Sequence, residues 1–173
     1  MPLSPRSPYA VTKVVGEHYC RVFQEVYGLP TVCLRYFNIY GPRQDPASDY
    51  AAVIPRFISR LSAGNPPIIF GDGGQTRDFT FIADAVAANI LAGESDASGV
   101  FNIGSGARIT ISELAALVSE LMGKKVAPIY QEPRPGDTRH SLADIAGAGA
   151  FGYAPKYGLK EGLLQTINWF SHG

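Results

Sequence analysis

At 173 residues, 46% of them hydrophobic, the chain is long enough to bury one substantial core and too apolar to be disordered. Lysine plus arginine equals aspartate plus glutamate at 15 each, so no global charge draws the chain to nucleic acid or to a membrane surface. Two cysteines, Cys20 and Cys33, are too few and too scattered for a disulfide framework or a metal site. There is no apolar leader behind a basic region and no run of membrane-spanning length, so a soluble, unsecreted, cytoplasmic protein is expected.

The first predicted element is a long helix opening at Ser7-Pro8-Tyr9-Ala10-Val11-Thr12-Lys13. Ser7 suits the N-cap and Pro8 the first helical position, and Gly28 followed by Pro30 stops the helix. Val11, Val14, Val15, Val22, Phe23 and Val26 recur at helical period, which marks that stripe as the buried face. Tyr9 and Lys13 fall off it, beside Gly16 and Cys20, where little side-chain bulk blocks a close approach. Thr31 to Phe37 reads as a strand covered on both faces in a parallel sheet. The loop from Asn38 to Pro42 leaves its carboxyl end, where ligands of open α/β sheets gather.

Further along, Arg43 to Tyr50 reads as loop. Ala52 to Ile58 leads into a helix ending near Gly64, with Pro55 in its first turn. Pro67 to Phe70 is a short strand closed by the turn Gly71-Asp72-Gly73-Gly74. Phe79 to Ile82 is a second short strand, after which Asp84 is placed to cap a helix reaching Leu91. Gly99 to Ile103 is strand-like and closes in Gly104-Ser105-Gly106. Thr110 with Glu113 makes a capping box ahead of Leu114, Leu117, Val118 and Leu121, with Gly123 as the stop. Val126 to Tyr130 reads as strand, Glu132 to Thr138 as loop, and Leu159 to Phe170 as a helix carrying Leu163, Leu164, Ile167 and Phe170. Gly147-Ala148-Gly149-Ala150-Phe151-Gly152 matches a dinucleotide fingerprint in letters only, since no strand precedes it, and reads as a loop.

Three places carry candidate chemistry. Tyr9 and Lys13 stand one helical turn apart, and a cation beside a phenol favours the phenolate, which suits general acid–base work. The same spacing also describes an ordinary solvated helix face. Arg77 follows a glycine turn and can fork onto a phosphate, or it can pair with the adjacent Asp78 at the surface. Arg134-Pro135-Gly136-Asp137 sets a cation and a carboxylate on one turn, matched to phosphate and to ribose hydroxyls. His18, His140 and His172 are scattered, without a second ligand at metal spacing.

Ser-Pro-Tyr-Ala-Val-Thr-Lys, Leu34-Arg35-Tyr36-Phe37-Asn38-Ile39-Tyr40-Gly41-Pro42, Gly71 to Phe79 and Arg134 to Asp137, taken in order, resemble the extended short-chain dehydrogenase/reductase family of nucleotide-sugar enzymes, and within it UDP-hexose 4-epimerases. The resemblance implies an α/β fold. Residues 1–42 correspond to the tail of a Rossmann-like domain with the Tyr–Lys helix and its strand, and residues 43–173 to a mixed α/β nucleotide-sugar-binding domain. The NAD-binding glycine turn and the catalytic Ser or Thr that such enzymes place upstream have no counterpart here, so the chain looks like the C-terminal part of one.

By the same resemblance the substrate is a UDP-sugar and the cofactor NAD. Tyr9 and Lys13 are the catalytic and cofactor-contacting pair, and Tyr36 and Phe37 lie beside the nicotinamide. Asn38 faces the diphosphate, Arg77 and Arg134 clamp it, Asp137 holds the uridine ribose, and Val53 and Phe57 line the uracil pocket. The implied reaction is epimerisation at C4 through a 4-keto sugar. A dTDP-sugar dehydratase or UDP-glucuronate decarboxylase shares the scaffold, and a nucleotide-sugar-binding or interaction module without turnover is the alternative of another class. An open apolar edge at the Leu34 strand further predicts self-association, or completion by a missing N-terminal half.

Overall fold

The computed structural model describes residues 4–5, 7–46, 52–134 and 136–172. Helix α1 (Pro8–Tyr27) starts as its sequence dictates: the Ser7 hydroxyl accepts the Ala10 amide at 3.1 Å, and Pro8 takes the first position. It ends on Gly28, whose φ of 67° suits a left-handed cap. Its predicted buried stripe, however, is exposed: Val11, Val15, Val22, Phe23 and Val26 range from 44% to 65% accessible. The half-buried row is instead Ala10, Val14, Glu17, Cys20 and Gln24, turned toward strand β1 (Val32–Tyr36).

Polar anchors explain the roll of the helix. Arg35 of β1 forks onto the Glu17 carboxylate at 2.6 and 2.5 Å, and the Thr31 hydroxyl donates to the Cys20 carbonyl at 3.1 Å. Cys20 and Cys33, far apart in sequence, meet here as free thiols. Burial, then the neighbouring Cys20 thiol, pushes Cys33 up to about 11.

The hydrogen bonds from Arg35 hold the Glu17 carboxyl below its usual range. A depressed carboxylate stabilises the fold above its unfolded pKa, about 4.3, and that contribution is lost as pH falls through the lower folded value. Amide exchange in α1 is therefore expected to accelerate below pH ~4, and Glu17→Gln should reproduce the loosening at neutral pH. Unchanged α1 protection in that variant would remove the anchor.

β1 pairs in parallel with β6 (Gly99–Ile103), Val32 opposite Gly99 and Tyr36 opposite Ile103. Helix α3 (Ile82–Gly93) also packs against β1, its buried alanines Ala88 and Ala92 sharing a core with Ile103, Phe151, Val32 and Leu34. A second core gathers helices α2 (Val53–Ser62), α4 (Ile111–Leu121) and α5 (Leu159–His172) around Ile54, Phe57, Leu61, Leu114, Val118 and Leu163. Leu164, predicted with that apolar set, is 41% exposed. The α4 capping box forms in full, Glu113 N–H to the Thr110 hydroxyl at 3.1 Å and Thr110 N–H to the Glu113 carboxylate at 2.9 Å.

Short strand pairs connect the two cores. β2 (Ile39–Tyr40), inside a predicted loop, runs parallel to β5 (Thr80–Phe81), and β3 (Ile68–Phe70) runs parallel to β8 (Ile129–Gln131). β4 (Thr76–Arg77) pairs antiparallel with β7 (Ile109–Thr110). Neither of these last two strands is predicted, because two residues display no period.

Asp84 does not cap α3. The cap position is Phe81, and Asp84 is 2% exposed, accepting the main-chain amides of Lys156 at 2.9 Å and Tyr157 at 3.2 Å. The glycine-rich stretch near Gly149 is a 3-10 helix, Ala146–Phe151, rather than a loop. Residues 47–50 of the predicted loop, Pro135 of the Arg-Pro-Gly-Asp turn and the side chain of His172 lie outside the described residues. Among those described, no helix is long and apolar enough to cross a membrane.

Candidate functional site

The site grows from the parallel register of β3 with β8. Phe70 lies opposite Gln131, so the chain leaving β8 returns Arg134 over the Phe70 ring, guanidinium carbon 3.9 Å from the centroid. The turn after β3 needs its glycines. Gly71 and Gly73 have φ of 76° and 74°, and a side chain at Gly73 would run into the Ser112 hydroxyl. Asp72 in that turn accepts the Gly74 amide at 2.9 Å and both arms of Arg139 at 2.7 and 2.9 Å. The Arg139 hydrogen bonds, aided by the Gly74 amide, bring the Asp72 carboxyl down to about 2.

Thr76 completes the join. Its amide donates to the Arg139 carbonyl at 2.9 Å, its carbonyl accepts the Ser141 amide at 3.1 Å, and its hydroxyl meets His140 Nδ1 at 3.0 Å. Residues on either side of Arg139 are thereby sewn to the Gly71 turn, and Asp137 lands on Arg77 as an ion pair. Arg77 also donates to the Thr76 carbonyl at 2.7 Å, and its side chain is only 13% exposed.

The structure rules out the alternative of an Arg77–Asp78 surface pair. Asp78 is fully buried. Its carboxylate accepts the Ser105 amide and hydroxyl at 2.8 and 2.7 Å and the amides of Gly106 and Ala143 at 3.1 Å each. Its carbonyl accepts the Asn38 side-chain amide at 2.9 Å. Asp78 is thus the hub that fixes the Gly104–Gly106 loop and Asn38 beside Arg77.

A cavity of about 390 Å³ opens among these elements, within the size range of small-molecule sites. Of the residues singled out in the sequence, Asn38, Val53, Arg77, Arg134 and Asp137 meet in its wall. Phe70, Gln75, Phe79 and Ile111 also line it, unanticipated; Gln75 is held by its bond to the Phe70 carbonyl at 2.7 Å. Only knowledge of the β3–β8 pairing would have brought Phe70 to Arg134. Two guanidiniums and a carboxylate set in apolar and aromatic walls suit an anion joined to a flat, weakly polar group.

The remaining predicted residues lie elsewhere. Phe57, 1% exposed, belongs to the core. Tyr9 is 70% exposed on α1, with the Lys13 ammonium 5.1 Å from its ring centroid. Tyr36 donates its hydroxyl to Asn89 at 2.8 Å, and the Phe37 amide bonds the Ile103 carbonyl at 2.9 Å. None of these residues lines the cavity. No group of three metal-ligating side chains gathers among the described residues.

Residues 1–104 match the model of the NAD dependent epimerase/dehydratase family. A solved UDP-N-acetylglucosamine 4-epimerase from Methanobrevibacter ruminantium, in complex with UDP-N-acetylmuramic acid, is 44% identical with a TM-score of 0.94 over 99% of this chain and 57% of that one. The UDP-glucose 4-epimerase of Thermus thermophilus, in complex with NAD, is 39% identical with a TM-score of 0.89 over 99% of this chain and 56% of that one. The UDP-glucose 4-epimerase of Mycolicibacterium smegmatis is 38% identical over 98% of this chain and 55% of its own length. The chain spans about half the length of the curated relatives it matches.

Proposed function

Because the chain belongs to the NAD dependent epimerase/dehydratase family, we propose that it serves epimerisation of a UDP-hexose at C4, with Arg77, Arg134 and Asp137 holding the nucleotide and Tyr9 and Lys13 attending the sugar. The observation that carries this is the convergence of Asn38, Val53, Arg77, Arg134 and Asp137 on one cavity.

Each guanidinium offers forked donors to the diphosphate. As the diphosphate engages Arg77, Asp137 is released from its ion pair to accept ribose hydroxyls. The Tyr9 phenolate takes the proton of the sugar 4-hydroxyl and later returns it, while Lys13 stabilises the phenolate and donates to the nicotinamide ribose. The residues fit that end of NAD: phenol and amine share an exposed helix face, and the space around Gly16, one turn further on, is open. When bound, NAD supplies hydride acceptance and return at C4. An anchored diphosphate lets the sugar turn over between the two transfers without leaving the site.

Nucleotide-sugar binding without turnover by this chain alone is the second reading. It is favoured by a cavity that Tyr9 and Lys13 do not line. Calorimetric titration with UDP-glucose and with UDP-N-acetylglucosamine tests the nucleotide site. Saturable binding is expected, with Arg134→Gln weakening it about tenfold or more and Tyr9→Phe leaving it unchanged. Wild-type affinity in Arg134→Gln would overturn the diphosphate assignment. Turnover with added NAD, lost in Tyr9→Phe, would set aside the binding-only reading.

A further inference from the structure

Arg77 and Phe79 line not one cavity but two. The second, of about 280 Å³, is walled by Ser105, Arg108, Lys156 and Tyr157 from the loop after β6 and the segment before α5. Three cationic side chains face it and no carboxylate does. Among the described residues, neither Arg108 nor Lys156 has an ion-pair or hydrogen-bond partner for its charged group.

The walls are fixed from behind by the two buried carboxylates. Asp78 holds the Ser105 amide at 2.8 Å, and Asp84 holds the Lys156 and Tyr157 amides at 2.9 and 3.2 Å. Main chain is thus pinned while the charged ends of Arg108 and Lys156 are left to the cavity. Cations gathered without a counter-charge repel one another, and an entering anion relieves that repulsion. Two guanidiniums with an ammonium match the charge and the several acceptor oxygens of a phosphate dianion. The cavity has room for about nine waters, at ~30 Å³ each, so it admits a phosphate bearing a small body against Phe79 and Tyr157.

We propose that this second cavity is a binding site for a small phosphate dianion, and that its occupancy opposes diphosphate binding in the first cavity because Arg77 serves both. The second half rests on the nucleotide-site reading above; the first half does not.

The test is calorimetric titration of the full chain with inorganic phosphate at constant ionic strength. Saturable binding is expected, weakened about tenfold or more in Arg108→Gln/Lys156→Gln and retained in Arg134→Gln. No saturable binding, full affinity in the double variant, or loss in Arg134→Gln would each overturn a separate site. Both double-variant side chains are exposed, and the Asp84 bonds use main chain, so an unchanged urea midpoint is expected to accompany the loss. Glycerol 3-phosphate separates the sources: tighter binding than inorganic phosphate identifies a phosphate ester, equal or weaker binding the free ion. For the coupling, phosphate should lower UDP-glucose affinity severalfold in the wild type and not in the double variant; equal lowering in both would overturn it. Should UDP-glucose fail to bind at all, the first-cavity reading falls while the phosphate titrations still decide the second.

Discussion

Asp78→Ala is expected to destabilise the fold by about 4 kcal/mol or more, a large share of the ~5–15 kcal/mol that holds a domain together. The carboxylate is fully buried and takes four donors, from Ser105, Gly106 and Ala143. Alanine leaves three amides in a site that water does not reach, each worth ~1–3 kcal/mol when unmade. Asparagine recovers little. One of its two sides becomes an NH₂ group, directed either at the Ser105 donors or at the Gly106 and Ala143 amides. Urea unfolding of both variants checks this: midpoints should drop sharply at unchanged slope. Asp72→Asn is the contrast, since that ion pair with Arg139 is solvent-exposed and screened, and its midpoint should barely move. A small shift in Asp78→Ala would mean that the loop after β6 is held by other contacts.

Arg77→Gln should weaken UDP-glucose binding about a hundredfold, or ~2.7 kcal/mol, more than Arg134→Gln does. Two losses combine. The forked donor to the diphosphate disappears, and Asp137, deprived of its partner, turns a bare carboxylate toward a dianionic group. Removing that carboxylate as well should therefore restore part of the affinity, so Arg77→Gln/Asp137→Asn is expected to bind tighter than Arg77→Gln. Equal or weaker binding by the double variant would show that repulsion from Asp137 contributes nothing.

The ends of helices were the most legible part of the fold. Ser7, Pro8, Gly28, Thr110 and Glu113 act within three or four residues of themselves, and each does what its local chemistry requires. The roll of α1 was not legible in the same way. Its periodicity states that the helix has two faces, while the choice between them is made by Arg35 and Thr31 on a neighbouring segment. Asp78 and Asp84 illustrate the same limit. A carboxylate beside an arginine or near a helix start resembles a surface partner or a cap until its donors are known, and here those donors are main-chain amides far downstream. For the candidate site, Arg77, Arg134, Asp137, Asn38 and Val53 were named from motif, and the structure brings all five to one cavity. The cavity's aromatic wall stayed hidden because Phe70 and Arg134 meet only through strand pairing.

The parallel pairing of β1 with β6 also bears on how the molecule is made. A parallel neighbour cannot be supplied by a hairpin, so β1 must wait for everything between them, including α2 and α3, before its ladder can close. On a ribosome adding about 5–20 residues per second, α1 and β1 spend seconds with that edge unfilled and with the valines of α1 facing solvent. During that interval the emerging chain is most open to capture by chaperones or by other nascent chains, so changes that speed β6 pairing should raise the yield of folded protein without altering the finished structure.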